Sequence, residues 1–443
     1  MFLKEELSIA MIKKLAEKQL KYNCVKPLQK TGSPIIIVAA VGEAEAIANA
    51  CKDNDIKISA ICDNIQAKSK LPFCGIEVVH TPTLPERFPE ARFIIASQHI
   101  QDCLEQLTSL GYNEFYSPLE LLDNYNLENN THNISNAYLQ ARISVCRKSH
   151  EAYLGNDQKI YMRSIDLMIT TRCSLKCESC SNLMQYFESP QNYEYQSILD
   201  SLEIISANVD EIAEFRLIGG EPLMNRGWDK IVAGISKKYP DREIFIYTNG
   251  TIAPKDDKLE PLMGKKVNFI ISEYGSLSRN LAKLHEQLDK FNINYVSTKA
   301  DHWVDCSNIK HHKRTASQLK EVFKQCCVKY IYTLLDGKLY RCPFIANAAV
   351  LKAIPDNPAN YVDLLSKTKN IKQQIKRLVK VAKFFPACDF CDGRPYDGTS
   401  KVGYDGKGMI EAGIQTTKPL PYKKYDFITG FDDGKNISVN KST

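Results

Sequence analysis

The 443-residue sequence contains no run of about 18 consecutive apolar residues, the length that a transmembrane helix needs. Residues 1–22 carry charges throughout, which predicts an amphipathic helix and not a signal peptide. A large excess of one charge is also lacking, because 58 Lys and Arg face 52 Asp and Glu, a formal net charge of +6. A net positive charge this small for the length of the chain does not indicate nucleic-acid binding. We therefore expect a cytoplasmic protein without a membrane or nucleic-acid partner.

Glycine is missing where a dinucleotide-binding turn would need it. Short apolar segments alternate with helical patterns over residues 33–120, which predicts a parallel sheet with a Rossmann-like strand order. In the first strand–helix turn, the glycine positions hold Ala39, Val41 and Ala44. Asp63 stands about 20 residues further on, where an acidic residue would meet a ribose hydroxyl. The missing glycines favour a structural or substrate-presenting role for this domain over nucleotide binding.

The length of the chain predicts more than one domain. Asn supplies six of the thirteen residues from Asn124 to Asn136, a composition typical of a connector. The polar stretch from Thr399 onward is typical of a wrapping tail or of a partly disordered one. We predict five segments: an N-terminal helix with a Rossmann-like domain (1–123), a linker (124–159), a central domain (160–315), a small C-terminal domain (316–398) and a polar tail (399–443).

Cysteine is abundant, and its count of fifteen is odd, which does not suit a secreted disulfide framework. In a reducing cytosol, thiols are free for packing, catalysis or metal binding. Six are isolated in apolar or helical surroundings and are expected to be small buried side chains: Cys24, Cys51, Cys62, Cys74, Cys103 and Cys146. The other nine are grouped between residues 173 and 391, which indicates metal chemistry there.

Three of these cysteines directly follow a strand predicted at residues 164–170. They are Cys173, Cys177 and Cys180. Three thiolates at this spacing can hold one cluster on one compact loop, whereas a closed zinc site would need a fourth ligand. A four-iron cluster on three cysteines leaves one iron open to an outside ligand, and thiolates suit iron–sulfur clusters.

Glycine, proline and polar residues follow the next three predicted strands. They are Gly219, Gly220, Glu221 and Pro222 after the first, Thr248 and Asn249 after the second, and Ser272 after the third. Glycines expose backbone groups to a ligand. In a parallel (β/α) barrel, the carboxyl ends of the strands build the functional site.

With these motifs in this order, the sequence resembles the radical S-adenosylmethionine (SAM) superfamily over about residues 160–395. The resemblance implies a partial (β/α)6 barrel, and a SAM-binding [4Fe-4S] cluster on the three cysteines. In the family, the GGEP segment meets the methionine amino group of SAM, and polar residues near Ser272 contact its ribose or carboxylate. Ser179 stands where the family often has an aromatic residue against adenine, so adenine packing would come from elsewhere, with Tyr186 or Phe187 as candidates.

A second group of cysteines surrounds a predicted hairpin, for which Asp336-Gly337 is a strong turn signal. The group contains Cys326 and Cys327 before the hairpin, Cys342 after it, and Cys388 and Cys391 as a CxxC pair. With the helical stretch predicted at residues 367–383, it resembles the SPASM/Twitch-type auxiliary-cluster extension. The resemblance implies a second [4Fe-4S] cluster on Cys326, Cys342, Cys388 and Cys391, with Cys327 as the alternative to Cys326. Four thiolates also suit a closed zinc site, so zinc stays an alternative.

The fold class predicted overall is therefore α/β, with a Rossmann-like sheet, a partial barrel and a small hairpin–helix cluster domain. By resemblance, SAM is reductively cleaved to a 5′-deoxyadenosyl radical that takes hydrogen from a substrate C–H bond, with a flavodoxin- or ferredoxin-type protein as the low-potential electron donor. A closed auxiliary cluster would accept an electron and make the reaction an oxidation. Cys306, if it returned a hydrogen atom, would make it an epimerisation.

The substrate is indicated only indirectly. The Rossmann-like segment favours a sugar, a cyclitol, a nucleotide-sugar or another glycan precursor. The alternatives are a peptide or protein side chain as substrate, or a non-catalytic, metal-stabilised binding protein. Glu273, Tyr274, Asp301 and His302 are candidate acid–base groups. The basic run 311–314 is interpreted as a solvated loop, with phosphate binding as the alternative.

Overall fold

The computed structural model describes residues 20–129, 134–155, 159–366, 370–395 and 403–425. It divides into two compact units, Met1–Lys159 and Ile160–Thr443. Nearly all of the predicted N-terminal helix and the end of the predicted tail lie outside the described residues. Within the described ranges, no helix is both long and apolar enough to cross a membrane.

The first unit contains a six-stranded parallel sheet. Its strands are β1 (Leu20–Lys21), β2 (Ile35–Val38), β3 (Ala60–Asp63), β4 (Val78–His80), β5 (Arg92–Ile95) and β6 (Phe115–Tyr116). Their order across the sheet is β1-β6-β5-β2-β3-β4. The α-helices are α1 (Val25–Gln29), α2 (Gly42–Asp53), α3 (Leu84–Arg87), α4 (Ile100–Ser109), α5 (Leu119–Asp123) and α6 (Asn136–Leu154). Apolar strands that are buried on both faces explain the continuous hydrophobic runs of this part of the sequence.

The predicted linker 124–159 contains a long helix. Helix α6 begins after Ser135, whose side chain accepts a hydrogen bond from the backbone N–H of Tyr138. Its side chains Leu139, Ile143 and Cys146 are buried in one apolar cluster with α2. Most of the segment is therefore part of the first unit. The asparagine-rich composition identified only the connection before this helix.

His150 of helix α6 makes the first unit sensitive to acid. It is fully buried beside Ser117, and burial lowers its pKa to about 3, below the ordinary value near 6.5. Because only the unfolded chain takes up this proton, stability is lost as the pH falls below about 6.5.

We expect the opening free energy of helix α6, measured by amide hydrogen exchange of the full chain, to be about 2 kcal/mol lower at about pH 5 than at about pH 7. The variant His150→Leu, compared over the same range, should lose this pH dependence. If both proteins lose the same stability between about pH 7 and about pH 5, His150 is not the source of the acid sensitivity.

The second unit is organised around an eight-stranded sheet. Its strands are β7 (Tyr161–Thr170), β8 (Glu211–Gly219), β9 (Glu243–Thr248), β10 (Val267–Glu273), β11 (Asn294–Lys299), β13 (Ile331–Leu335), β14 (Lys338–Tyr340) and β15 (Tyr361–Asp363), while β12 (His302–Val304) pairs with β16 (Met409–Glu411). The order is β11-β10-β9-β8-β7-β13-β14-β15. The six strands from β11 to β13 are parallel and the last two pairs are antiparallel.

Helices connect the parallel strands of this sheet. They are α7 (Tyr195–Ser206), α8 (Trp228–Lys238), α9 (Asp256–Leu259), α10 (Leu281–Lys290) and α11 (Ala316–Gln325). Two further helices follow the antiparallel hairpin: α12 (Pro343–Val350) lies between β14 and β15, and α13 (Ile371–Lys376) comes after β15. The structure thus has the predicted α/β class, with one parallel sheet and one mixed sheet in which six strands are parallel. The more specific Rossmann-like, partial-barrel and Twitch-type assignments stay predictions.

Alternate residues of the long strands separate an apolar face from a polar one. Ile165, Leu217 and Ile246 belong to the main apolar cluster of this unit, to which the helices contribute. Asp166 and Arg216, which are opposite each other in the register of β7 and β8, form a buried ion pair at 3.2 Å. Burial raises the pKa of Asp166 to about 6, and the charge of Arg216 opposes that rise. The sheet therefore carries a buried polar face beside the loops at its carboxyl edge.

Candidate metal centre

The first cysteine group lies on the loop that follows β7. The N–H of Cys180 donates to the carbonyl of Cys177 at 3.3 Å, so the loop turns tightly between these two cysteines. Cys177 is buried, and Cys173 and Cys180 are partly buried. Burial raises the pKa of all three thiols, and the charge of Cys180 raises that of Cys173 and Cys177 further. The structure thus brings the three predicted ligands together on one loop.

The glycines at the end of β8 hold this loop against the sheet. The N–H of Gly220 donates to the carbonyl of Thr170 at 3.1 Å, and the N–H of Glu221 donates to the carbonyl of Arg172 at 2.8 Å. A Cβ atom on Gly220 would lie 2.6 Å from the carbonyl carbon of Arg172 and 2.8 Å from Cβ of Cys173. Only glycine permits so close an approach.

Glu221 is the fully buried link between two strand ends. One carboxylate oxygen accepts hydrogen bonds from the Thr248 hydroxyl at 2.9 Å and the Leu223 N–H at 3.1 Å. The other accepts from the N–H of Asn249 at 2.8 Å. Burial raises the pKa of Glu221 to about 7, and these hydrogen bonds oppose that rise. The carboxylate therefore positions the protein chain, a role that the sequence did not indicate. Pro222 begins the short 3-10 turn that follows.

Asn249 connects the end of β9 to the cysteine loop. Its side-chain amide lies 3.7 Å from the sulfur of Cys173 and 3.2 Å from the hydroxyl of Ser174. Thr251 contacts the same Ser174 hydroxyl at 2.5 Å. The carbonyl of Asn249 accepts from Ser278 at 2.6 Å, so the next connection is also tied to this point.

The other predicted SAM contacts are at the same edge or near it. Ser272 lies near the carboxyl end of β10 and is partly buried. Burial raises the pKa of Tyr274, and the charges of all three loop cysteines raise it further, which places its hydroxyl near them. Tyr186, an adenine candidate, packs against Tyr422 and donates to the carbonyl of Ser307 at 3.2 Å. Tyr186 is thus engaged within the protein core, whereas Tyr274 lies within electrostatic range of the cysteines.

The second cysteine group lines a cavity of about 30 Å³. The predicted ligands that line it are Cys326, Cys342, Cys388 and Cys391. They arrive from three places in the sequence: the end of α11, the start of α12, and the 3-10 turn Pro386–Phe390 with its following residue. The predicted hairpin is present as β13 and β14, and both of its turn residues have positive φ, 49° at Asp336 and 71° at Gly337.

Cys327 is placed differently from Cys326. It does not line the cavity, and its N–H donates to the carbonyl of Arg394 at 2.8 Å. Cys306 is 4% exposed, and its burial raises the pKa of its thiol. The charges of Cys327 and Cys180 act in the same direction, so Cys306 lies in the neighbourhood of both cysteine groups.

A buried guanidinium also lies between the two groups. Arg394 donates a hydrogen bond to the carbonyl of Ser181, directly after the first group. Burial lowers the pKa of Arg394, but Cys306, Cys391 and Cys342 raise it by more. Arg394 therefore supplies positive charge to a region rich in thiols. Nothing in the sequence marked this arginine, because its partners are distant along the chain.

The basic run 311–314 is not the solvated loop that the sequence indicated. His311 lies 3.0 Å from Asp389, and His312 lies 3.2 Å from Asp392. Arg314 donates to the carbonyl of Cys391 at 2.7 Å and to that of Cys388 at 3.2 Å. Carboxylates and backbone carbonyls of the CxxC turn are therefore the partners of this run. Because these side chains already bind protein groups, the contacts do not favour the alternative interpretation of the run as a phosphate-binding site.

The two cysteine groups fit iron–sulfur clusters in the chemistry of their donors. Among the described residues, no three His, Cys, Asp or Glu side chains form a group that could hold a metal ion. The thiolates of a four-iron cluster bind different iron atoms and so surround a larger body than a single ion. The first group offers three thiols on one loop, and the second offers four around a cavity.

Asp63, which stands where an acidic residue of a dinucleotide-binding domain would meet a ribose, already has protein partners. Asp63 accepts a hydrogen bond from the N–H of Ala40 at 2.9 Å and pairs with Lys68 at 2.8 Å. Ala39, which stands at a glycine position, has a φ of 80°. Whether this domain binds a nucleotide stays a prediction, and these contacts do not favour it.

Residues 167–272 match the family model described as the Radical SAM superfamily. Among curated proteins, the chain is similar to the GTP 3′,8-cyclase of Helicobacter pylori (strain HPAG1), with 23% identity over 215 residues, 48% of this chain and 54% of that protein. It is also similar to the GTP 3′,8-cyclase of Clostridium acetobutylicum, with 34% identity over 112 residues, 24% of this chain and 35% of that protein. The chain thus spans about half, or less, of the length of these relatives.

Two solved structures are similar to this chain only at low TM-scores and low sequence identity. BtrN in complex with AdoMet and 2-DOIA has a TM-score of 0.35 and 16% identity, and covers 55% of this chain and 98% of its own. Native anSMEcpe with bound AdoMet has a TM-score of 0.34 and 13% identity, and covers 50% of this chain and 82% of its own. TM-scores this low carry no argument about the fold of this chain.

Proposed function

We propose that this chain, of which residues 167–272 match the radical SAM superfamily, is a radical SAM enzyme with two iron–sulfur clusters. The observation that carries the proposal is the packing of the cysteine loop on the glycine turn after β8. The N–H groups of Gly220 and Glu221 donate to the carbonyls of Thr170 and Arg172, so backbone hydrogen bonds join the loop to the turn inside the matched segment.

Cys173, Cys177 and Cys180 would hold the first [4Fe-4S] cluster, with one iron open for the amino and carboxylate groups of SAM. When bound, this pair supplies one-electron cleavage of SAM to methionine and a 5′-deoxyadenosyl radical that abstracts hydrogen. Asn249 would orient Cys173, and the Glu221 carboxylate would keep the ends of β8 and β9 together. Backbone groups of Gly219 and Gly220, and the hydroxyl of Ser272, would face SAM.

Cys326, Cys342, Cys388 and Cys391 would hold the second [4Fe-4S] cluster, since all four line one cavity. Four protein ligands leave no iron open, so its role would be electron transfer and the net reaction an oxidation. The neighbouring Arg394 offsets negative charge in this region. Cys306 is the candidate hydrogen donor if the reaction is instead an epimerisation.

The substrate in this proposal is a sugar, a cyclitol or a nucleotide-sugar. GTP, in the name of the relatives, is itself a nucleotide, which supports a small molecule here over a protein side chain. The buried Asp166–Arg216 pair on the polar face of the sheet offers hydrogen-bonding groups of the kind that a polyhydroxylated substrate needs.

The test is SAM cleavage by the anaerobically reconstituted, dithionite-reduced full chain. We expect 5′-deoxyadenosine from the wild type and from a Cys74→Ala/Cys103→Ala control, and at least a hundredfold less from Cys173→Ala/Cys177→Ala/Cys180→Ala. SAM should also change the electron paramagnetic resonance spectrum of the reduced wild type. With iron content confirmed, a wild type that neither responds to SAM nor exceeds the triple variant would overturn the proposal.

A further inference from the structure

Gln415 reaches the first cysteine group from 238 residues further along the chain. Its side-chain NH2 group donates to the sulfur of Cys177 at 3.3 Å and to the carbonyl of Gly413 at 2.7 Å. Its side-chain oxygen accepts from the backbone N–H of Lys176 at 2.7 Å. Both ends of one amide are therefore directed at the cysteine loop.

The backbone around Gln415 also pairs with that loop. The N–H of Glu178 donates to the carbonyl of Ile414 at 2.7 Å, and the N–H of Thr416 donates to the carbonyl of Lys176 at 2.7 Å. Cys177 and Gln415 form an antiparallel bridge. We call residues 409–416 the C-terminal strap. Two ladder bonds and two side-chain bonds fix it across the middle cysteine.

Two further contacts fix the strap upstream of Gln415. Strand β16, its first part, pairs with β12, and Trp303 is opposite Ile410 in that pairing. Gly413, with a φ of 80°, lies so close to Tyr274 that a Cβ atom there would be 2.8 Å from its ring. The strap thus has a defined position independent of Gln415.

An N–H donated to a cluster thiolate affects electron transfer. Adding an electron increases the negative charge on the ligand sulfur, so the hydrogen bond is stronger in the reduced state. It therefore favours reduction, and partners that fix a ligand also tune the metal that it holds.

We propose that Gln415 is a positioning residue for the three-cysteine cluster. Through its hydrogen bond to Cys177, Gln415 raises the midpoint potential of that cluster. The inference rests on the proposed function, because it requires the cluster. The side-chain carbonyl of Gln415 accepts the hydrogen bond from the backbone N–H of Lys176, and its side-chain N–H donates to the sulfur of Cys177.

The experiment is a redox titration of the full chain, followed through the paramagnetic signal that SAM perturbs, which separates the first cluster from the second. Gln415→Met removes both halves of the amide at nearly constant length. Gln415→Glu keeps an acceptor for Lys176 and loses the donor, and its carboxylate adds negative charge beside Cys177 that disfavours reduction by itself. Thr416→Val removes a side-chain bond to the Lys418 carbonyl, away from the cysteines, and serves as the matched control.

We expect Gln415→Met to lower the equilibrium constant for one-electron reduction about tenfold, a shift of about 59 mV to more negative potential, and Gln415→Glu to lower it at least as far. Thr416→Val should keep the wild-type potential. Amide exchange of the strap reports whether it stays docked in each variant. A wild-type potential in Gln415→Met, with the strap docked, would overturn the role of the N–H donor. A wild type without any SAM-sensitive signal would instead overturn the proposed function.

Discussion

Gly220→Ala should reduce 5′-deoxyadenosine formation at least a hundredfold, while Gly227→Ala should stay within about twofold of the wild type. A Cβ atom at Gly220 would meet the backbone of Arg172 and the side chain of Cys173, so the cysteine loop must move. At Gly227 the nearest atom to such a Cβ would be Oδ1 of Asn225 at 3.5 Å, an ordinary contact. A hundredfold loss corresponds to about 2.7 kcal/mol in the transition state.

The effect is expected to be local to the first cluster. Overpacking in a rigid site costs typically about 1–3 kcal/mol of stability, which a protein of this size can tolerate. Far-ultraviolet circular dichroism of Gly220→Ala should therefore match the wild type, and its iron content should not fall below about four atoms per chain. If Gly220→Ala cleaves SAM at the wild-type rate, the close approach of the cysteine loop to the glycine turn is not needed for the reaction.

Cys326→Ala should lose about half of the bound iron, from about eight atoms per chain to about four, and Cys327→Ala should keep all of it. The reason is position: Cys326 lines the cavity with Cys342, Cys388 and Cys391, and Cys327 does not. Iron analysis after anaerobic reconstitution measures the difference directly. The two variants are matched, since the residues are neighbours and both thiols are partly buried.

The SAM-dependent change in the paramagnetic spectrum should persist in both variants, because the first cysteine group is unaltered. Loss of iron from Cys327→Ala with retention by Cys326→Ala would exchange the two assignments. If the second cysteine group of the reconstituted wild type binds zinc and not iron, the proposal of a second iron–sulfur cluster is wrong.

Local signals in the sequence predicted the elements that local forces determine. The strand before Cys173, the glycine turn after β8 and the hairpin at Asp336-Gly337 are all present at their predicted places. Each depends on residues next to one another in the chain, such as two turn residues that accept positive φ. The α/β class followed from the same alternation of strands and helices.

What the sequence missed depends on contacts between distant residues. The strap residue Gln415 is in a segment described only as a polar tail, and its partner lies 238 positions away. The basic run around Arg314 appeared solvated because the carbonyls that it binds are 74 and 77 residues distant. The bonds of both Glu221 oxygens to Thr248 and Asn249 likewise join residues 27 and 28 positions apart, and the contact of the segment with SAM stays a prediction. Polar residues have several possible partners, and only the fold selects among them.

The pairing of β7 with β13 limits how this chain can be divided. The registered pairs run from Ser164 opposite Ile331 to Leu167 opposite Leu334, so the strand bearing the first cysteine loop shares its hydrogen bonds with the hairpin of the second group. A chain truncated after residue 315 would leave the backbone of β7 unpaired along that side. Exposed apolar edges of this kind recruit other chains and aggregate. The two cysteine groups therefore do not form separable modules, and a shortened fragment is a poor substitute for the full chain.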